Sequence, residues 1–315
     1  MDIIKEQGYR ESMERIVLPY IEERKTEGFF DGFDGKRLHY VFYKCDNPQR
    51  IVVIVHGFTE STEKYREMIW YFLKSGSDVY LYDQRCHGKS ERLVENKTLT
   101  HVDRFEDYVK DFEIFTEKIV PKNMPLMLYS HSMGGAVAAL YLQKHPDIYH
   151  KAVFSSPMIA PERGGFPKFT AKAICKTAMI FGKAKKKMFI AGDYPGKEEF
   201  ETSCATSFER FSFYERLKRV TPELQNYSPT YGWTYESLKV TDKILKKGGP
   251  EKIVIPVLLF NAELDNMVRK QEQTVFANRL KNCNFITVKN AKHEIFFSTD
   301  DVLNDYVNTV IEFFA

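Results

Sequence analysis

The chain lacks the residue patterns that would mark a metal centre, a disulfide framework or a membrane span. Its cysteines are scattered and odd in number, at Cys45, Cys86, Cys175, Cys204 and Cys283. They match neither a metal-ligand spacing nor a disulfide pattern, which favours a reducing compartment. No uninterrupted apolar run approaches the roughly 20 residues that a bilayer-spanning helix needs. We therefore expect no metal and no disulfide, and a cytoplasmic location.

An excess of charge of one sign is also missing. Lys and Arg number 46 against 43 Asp and Glu, a formal net charge of +3, so no global signal for nucleic acid exists. Residues 1–7 show no basic segment followed by an apolar core, and we expect no secretion signal. With 315 residues and 43% hydrophobic content, the chain can bury a large core, as one domain with an insertion or as two smaller domains.

The most informative stretch that is present is SHSMGG at residues 130–135. It follows the apolar run of residues 126–129 and precedes a helix-like run over 136–142. A strand, a sharp turn and a helix around a serine form a nucleophile elbow, which exposes the hydroxyl at the edge of a sheet. The pattern predicts Ser132 as a nucleophile, although the first position of the motif is Ser130 rather than glycine.

A serine hydroxyl needs a base to take its proton and a carboxylate to orient that base. In α/β-hydrolases the order along the chain is serine, acid, histidine. Asp265 follows a predicted strand, and His293 lies beyond the next strand, over 284–288. Both loops fall at the carboxyl end of the sheet, where such sites are built. We predict Asp265 and His293 as the partners of Ser132, with Glu263 as the alternative acid.

An oxyanion requires two backbone N–H groups aimed at one point. The β-branched run at residues 51–55 predicts a buried strand, and the sequence HGF at residues 56–58 follows it directly. We expect one N–H group from Phe58 and the other from Met133, the residue after the nucleophile. Asp83 and Arg85, in a polar turn, are expected to shape a loop rather than to catalyse, and His131 to be a packed, hydrogen-bonded histidine.

Five motifs together resemble the monoacylglycerol lipase and bacterial lysophospholipase branch of the α/β-hydrolase superfamily. They are HGF at 56–58, DQRCHGKS at 83–90, SHSMGG at 130–135, AELD at 262–265 and KHEI at 292–295. The resemblance is closer to the bacterial lysophospholipases. Cys86 and Ser130 depart from the small residues usual there, but neither is a triad position. The resemblance implies a serine hydrolase that cleaves lipid carboxylic esters, such as a lysophospholipid or a monoacylglycerol, without metal or organic cofactor.

Predicted strands and helices alternate up to residue 155, which favours a doubly wound, mostly parallel sheet. We expect an α/β-hydrolase fold in which residues 1–156 and 251–315 form the core and residues 157–250 an inserted helical lid. A strand is predicted over 253–260. An N-terminal amphipathic helix is predicted from about residue 10 to residue 24, with an apolar stripe of Ile16, Val17, Tyr20 and Ile21.

The predicted lid has no acidic residue between Arg163 and Gly192. Helical spacing would place its lysines beside an apolar face, which suits an anionic membrane surface. The alternative is a solvated helix face that packs on the core, and the sequence leaves both open. The lysines are Lys168, Lys172, Lys176, Lys183, Lys185, Lys186 and Lys187. Peripheral contact with the inner face of a membrane is therefore one expectation.

Other functions fit the same pattern of residues. A small-ester carboxylesterase or a serine peptidase would use the same three side chains, and a non-catalytic binding protein would require that one of them be missing. The sequence does not identify the head group, the acyl length, the ester or amide preference, or the oligomeric state.

Overall fold

Ten strands form two sheets in the computed structural model, which describes residues 1–315. The larger sheet has eight strands in the order β1-β2-β4-β3-β6-β7-β9-β10. The six neighbouring strands β4, β3, β6, β7, β9 and β10 run parallel to one another. Strand β2 is antiparallel to both of its neighbours, β1 and β4. The strands are β1 Lys25–Asp31, β2 Arg37–Tyr43, β3 Arg50–Val55, β4 Ser77–Tyr82, β5 Leu99–Thr100, β6 Leu126–His131, β7 Lys151–Ser155, β8 Ser228–Pro229, β9 Val257–Ala262 and β10 Cys283–Val288.

Helices cover both faces of this sheet. Successive side chains of β3 alternate between two hydrophobic clusters: Val53 and Val55 pack with α4, α5 and α8, whereas Val52 and Ile54 pack with α3 and α10. A strand buried on both faces explains the unbroken apolar run over β3. The helices are α1 Tyr9–Ser12, α2 Leu18–Glu22, α3 Arg66–Lys74, α4 Phe105–Lys118, α5 Met133–Lys144, α6 Lys168–Ile180, α7 Phe208–Val220, α8 Tyr231–Ile244, α9 Lys270–Arg279 and α10 Asp300–Phe314. The doubly wound, mostly parallel sheet is confirmed.

Two details of the predicted elements are wrong. The N-terminal helix is continued by a π-helical turn, Met13–Val17, and its buried side chains recur every four residues at Tyr9, Met13, Val17 and Ile21. Ile16 is 55% exposed, because it lies off that stripe. The strand predicted over 253–260 begins only at Val257, since a short 3₁₀ turn and Pro256, which has no N–H to donate, precede it.

The chain between β7 and β9 holds α6, α7 and α8. Within it, β8 pairs with β5 to form the small second sheet. The last helix, α8, contributes Trp233, Val240 and Ile244 to the main hydrophobic cluster, so it belongs to the packed body as well as to the insertion. None of the helices is both long enough and apolar enough to cross a membrane.

Candidate active site

The turn between β6 and α5 holds Ser132 in a backbone conformation that side chains rarely adopt, with φ 50° and ψ −119°. Its N–H donates to Ser155 O at 3.1 Å, and its carbonyl accepts from Gly135 N at 2.9 Å. The helix packs so closely on β3 that a Cβ at Gly134 would lie 2.1 Å from Val55 O. Only glycine fits there, which explains this residue of the elbow motif.

The structure brings Ser132, His293 and Asp265 into one chain of hydrogen bonds. His293 Nε2 lies 2.8 Å from Ser132 Oγ, and His293 Nδ1 lies 2.7 Å from Asp265 Oδ2. The acid stands on the loop after β9 and the histidine on the loop after β10, and these strands are parallel neighbours. Burial disfavours ionisation of Asp265, but the adjacent His293 ring and two backbone N–H groups outweigh it, so its pKa lies below the usual value.

The alternative acid, Glu263, is turned away from the imidazole. Its Oε2 accepts a hydrogen bond from the Asn290 N–H at 3.0 Å, and the carboxylate makes no contact with His293. Glu263 therefore supports the turn that carries the histidine loop. Asp265 Oδ1, in contrast, accepts from the N–H groups of Met267 and Val268, at 2.8 and 3.2 Å, which leaves Oδ2 to face His293.

Two backbone donors beside Ser132 have no acceptor within the protein. Neither the Phe58 nor the Met133 N–H donates to a protein group, although the N–H groups flanking Phe58 are satisfied. Gly57 N donates to Glu60 Oε2, and Thr59 N donates to His87 Nε2 at 3.3 Å. Unpaired N–H groups that remain free in this way are available to a developing oxyanion.

A buried ionic cluster lies behind the imidazole. The His131 ring lies 4.9 Å from the His293 ring and is tilted by 51° against it, and its Nδ1 lies 3.2 Å from Glu60 Oε1. Lys64 Nζ lies 3.5 Å from Glu60 and 2.5 Å from Glu294, the residue after His293. Burial raises the pKa of Glu60 and lowers that of His131, yet their mutual attraction reverses both shifts, so the pair is ionic.

Sequence reasoning placed His131 correctly among packed, hydrogen-bonded residues but missed Glu60 and Lys64. A partial signal was available, because the two lie four residues apart and directly follow the HGF motif. Glu294, the second carboxylate that contacts Lys64, is 230 residues away in sequence, and that pairing is visible only in three dimensions.

The second polar cluster shapes the loop after β4, as predicted. Arg85 donates to both carboxylate oxygens of Asp111, at 2.6 and 2.8 Å, and is almost fully buried. Asp83 lies 2.9 Å from His39 and accepts the N–H of Thr62. Neither Asp83 nor Arg85 makes a hydrogen bond to Ser132, Asp265 or His293.

An apolar cavity of about 320 Å³ opens between α6 and α8. Apart from Glu162 and Arg163 its lining is uncharged, and it includes Ala171, Ile174, Met188, Phe189, Trp233 and Leu238. The ring of the lining residue Trp233 lies 4.0 Å from the ring of Phe58, whose N–H group is one of the two free donors. No group of three or more His, Cys, Asp or Glu side chains is arranged to hold a metal ion.

Comparison with known proteins gives consistent relatives. Residues 46–300 match the Hydrolase_4 family, described as "Serine aminopeptidase, S33". The chain is 28% identical over 301 residues to lysophospholipase L2 of Escherichia coli, covering 92% of this chain and 88% of that one. It is 29% identical over 324 residues to a probable lysophospholipase L2 of Haemophilus influenzae, covering 99% and 98%.

The solved structures agree on the fold. A soluble variant of the monoglyceride lipase of Saccharomyces cerevisiae superimposes with a TM-score of 0.71 at 20% identity, covering 92% of this chain and 95% of that one. At this identity the likeness establishes the α/β-hydrolase fold and carries nothing about substrate.

Proposed function

This chain belongs to the Hydrolase_4 family of α/β-hydrolases, and from that premise we propose that it is a serine hydrolase of lipid carboxylic esters, acting on lysophospholipids or monoacylglycerols. The observation that carries the proposal is the hydrogen-bonded chain Ser132–His293–Asp265. The two bacterial relatives named lysophospholipase L2 and probable lysophospholipase L2 support the substrate class.

The proposed reaction is acyl transfer in two halves. Ser132 Oγ attacks the ester carbonyl while His293 Nε2 accepts its proton, and Asp265 holds the ring tautomer and stabilises the imidazolium. His293 then donates that proton to the leaving alcohol. In the second half, the same nitrogen activates water to release the acid from Ser132.

The oxyanion is stabilised in both halves by the N–H groups of Phe58 and Met133, which have no other acceptor. The ion pair of Glu60 with His131 lies directly behind the imidazole and limits its movement. Such fixed dipoles need no reorganisation when the tetrahedral intermediate forms, which is the main source of their catalytic effect.

The apolar cavity between α6 and α8 is the proposed acyl-chain site. Its lining residue Trp233 packs against Phe58, and its aliphatic and aromatic side chains match a hydrocarbon chain. A fatty acyl group placed there would position its carbonyl beside the two free N–H groups.

We propose that residues 157–250 are the lid and that residues 163–192, named here the basic lid segment, touch an anionic membrane surface. Part of its charge is neutralised, because Lys168 and Lys172 pair with Asp242, and Lys187 pairs with Asp193. Of the lysines without an ion pair, Lys176 lies on α6, whereas Lys183, Lys185 and Lys186 follow that helix, so the expected helical spacing holds for only part of the segment. Large apolar side chains are exposed in the same segment: Phe166, Phe169, Ile180, Phe181, Phe189 and Ile190.

Exposed apolar groups beside unpaired lysines are suited to an interface rather than to water. The proposed location is accordingly cytoplasmic, with peripheral contact at the inner, anionic face of a membrane.

A lipid-panel assay tests the substrate class. The purified protein and its Ser132→Ala variant are incubated with lysophospholipids, monoacylglycerols, short p-nitrophenyl esters and aminoacyl-arylamides, and released product is measured. We expect Ser132-dependent release of fatty acid from the lipids. Preference for short esters would instead indicate a carboxylesterase, and activity on the arylamides would favour the peptidase that the family description names.

A further inference from the structure

A second cavity, of about 170 Å³, shares no lining residue with the apolar cavity between α6 and α8. Its walls include Thr59 and Glu294, the residues that directly follow Phe58 and His293. The rest of the lining comes largely from α7 and from the segment before it. Unlike the apolar cavity, this one is lined by many charged side chains, and we refer to it as the polar cavity.

The charges in the polar cavity are almost all paired with one another. Lys64 contacts Glu294 at 2.5 Å, and the buried Lys218 contacts Glu198 at 2.6 Å. Glu199, on the rim, is largely exposed and pairs with Lys197 at 3.3 Å. These contacts account for every charged side chain of the lining except one.

The exception is Glu215 on α7. Its side chain lines the polar cavity and is only 5% exposed, yet it takes part in no hydrogen bond and no ion pair, and its Oε1 is buried without a partner. A buried carboxylate without a donor is costly, and natural proteins retain few of them. A cation that enters the polar cavity from outside the chain would supply the partner that Glu215 lacks within it.

The residues beside Glu215 indicate which chemical class of cation would bind there. The aromatic rings of Tyr214, Tyr227 and Phe211 share the lining, and their faces attract alkylammonium groups. The location of the polar cavity beside the histidine loop indicates which part of the substrate would carry this cation. His293 must protonate the leaving oxygen, so the departing alcohol lies on the side of the histidine loop, where the polar cavity is found.

We propose that the polar cavity receives the ammonium group of the departing alcohol, with Glu215 as its carboxylate partner. The inference rests on the proposed function and sharpens it: the substrate is a lysophospholipid with an ethanolamine or choline head group, rather than a monoacylglycerol. The two cavities then divide one substrate, with the acyl chain between α6 and α8 and the head group against α7.

The test compares Glu215→Gln with a matched control, Glu209→Gln. Glu209 is on the same helix, makes no recorded ion pair and lies outside the polar cavity. The substrates are lysophosphatidylethanolamine, lysophosphatidylcholine, lysophosphatidylglycerol and monoacylglycerol of one acyl length. We expect Glu215→Gln to lower kcat/KM for the first two by roughly 10- to 100-fold, the range for hydrogen bonds to charged groups. The last two substrates should change less than about twofold.

Several results would overturn the inference. An equal loss on all four lipids would assign Glu215 a structural role, and no loss on any would leave it without a ligand. The thermal midpoint of Glu215→Gln should not fall, because the substitution is isosteric and removes an unpaired buried charge.

A second measurement uses the unaltered protein. Hydrolysis of p-nitrophenyl butyrate should be inhibited by glycerophosphoethanolamine at least tenfold more strongly than by glycerol 3-phosphate, which lacks the ammonium. Equal inhibition, or none, would contradict the head-group assignment. This arm separates the two proposals: a protein that hydrolyses no lipid but shows selective inhibition refutes the lipid substrate and retains the ammonium site.

Discussion

Charged side chains are buried and paired in the sheet core but exposed and partly unpaired in the basic lid segment. In the core, Arg85 and Asp111 form a bidentate pair that is almost fully buried, and Lys64 lies between two carboxylates. In the basic lid segment, Lys183, Lys185 and Lys186 are exposed and make no ion pair. Paired charge inside the fold fixes loops, whereas unpaired charge beside exposed apolar groups is available to a partner.

The rest of the insertion between β7 and β9 does not share the exposed, unpaired charge of the basic lid segment. Arg210 on α7 is fully buried, contacts Glu67 on α3 at 3.2 Å and Asp300 on α10 at 3.1 Å, and donates to a backbone carbonyl near the N-terminus. These contacts fix α7 to the core, so the polar cavity has one immobile wall. The segment around α6 has no comparable buried ion pair. Helix α7 is therefore fixed to the core, whereas residues 163–192 carry the exposed charge and apolar groups that the proposed membrane contact would use.

The largest effect should come from the core, at the nucleophile. Ser132→Ala should lower kcat for every substrate by roughly 10⁴- to 10⁶-fold, because the triad acts as a unit. The measurement is steady-state hydrolysis together with labelling by a fluorophosphonate probe, which should modify Ser132 alone. Labelling that persists in the variant would move the nucleophile elsewhere.

The same hydrolysis assay tests which carboxylate is the acid of the site. Asp265→Asn should lower kcat by roughly 10⁴-fold, since the imidazole would lose the partner that fixes its tautomer. Glu263→Gln is the matched control, two residues away in sequence, and should retain most activity because its carboxylate contacts the Asn290 N–H instead. The opposite outcome would exchange the two acids.

Much of this arrangement could be predicted from the sequence, because it depends on local order. The elbow, the two loops and their order along the chain predict that Ser132, Asp265 and His293 come together, and the three side chains are hydrogen-bonded in the structure. Glu215 could not be found in that way. It is an ordinary glutamate within a charged helix, and its significance is that no donor reaches it once α7 has packed.

The charge of the lid shows the same limit. The segment appeared uniformly basic because no acid lies between residues 163 and 192. Asp242, on α8, nevertheless neutralises Lys168 and Lys172 after folding. Sequence order alone could not indicate which lysines remain unpaired.

The next largest effect is on the free energy of unfolding, which should differ between a core variant and a variant of the basic lid segment. Arg85→Met should destabilise the fold by roughly 3–5 kcal/mol, because it leaves the Asp111 carboxylate buried without its partner. Lys183→Met, in the basic lid segment, is the control and should change the free energy of unfolding by less than about 0.5 kcal/mol. Denaturant unfolding of both variants measures the difference. Equal losses would mean that the lid lysines are structural too, and the contrast between the regions would disappear.

The smallest effect concerns the basic lid segment itself. Reversing Lys183, Lys185 and Lys186 to Glu should weaken sedimentation with anionic vesicles by at least about 100-fold, since each of the three lost cations contributes about 1 kcal/mol near such a surface. Hydrolysis of lipid in those vesicles should slow, whereas turnover of a soluble short-chain ester should stay within about twofold. Added salt should reproduce the loss, because exposed charges are screened over about 10 Å at 0.1 M.

The matched control for this reversal is the same charge change at Lys246, Lys247 and Lys252, which are equally exposed but lie outside the segment. If binding depended on net charge alone, both triple variants would lose it equally, and the exposed aromatic side chains of the segment would have no part in docking. Loss confined to the first variant requires that charge and apolar groups act at one place. Full binding by the first variant at low salt would leave its lysines as a solvated surface and end the membrane proposal.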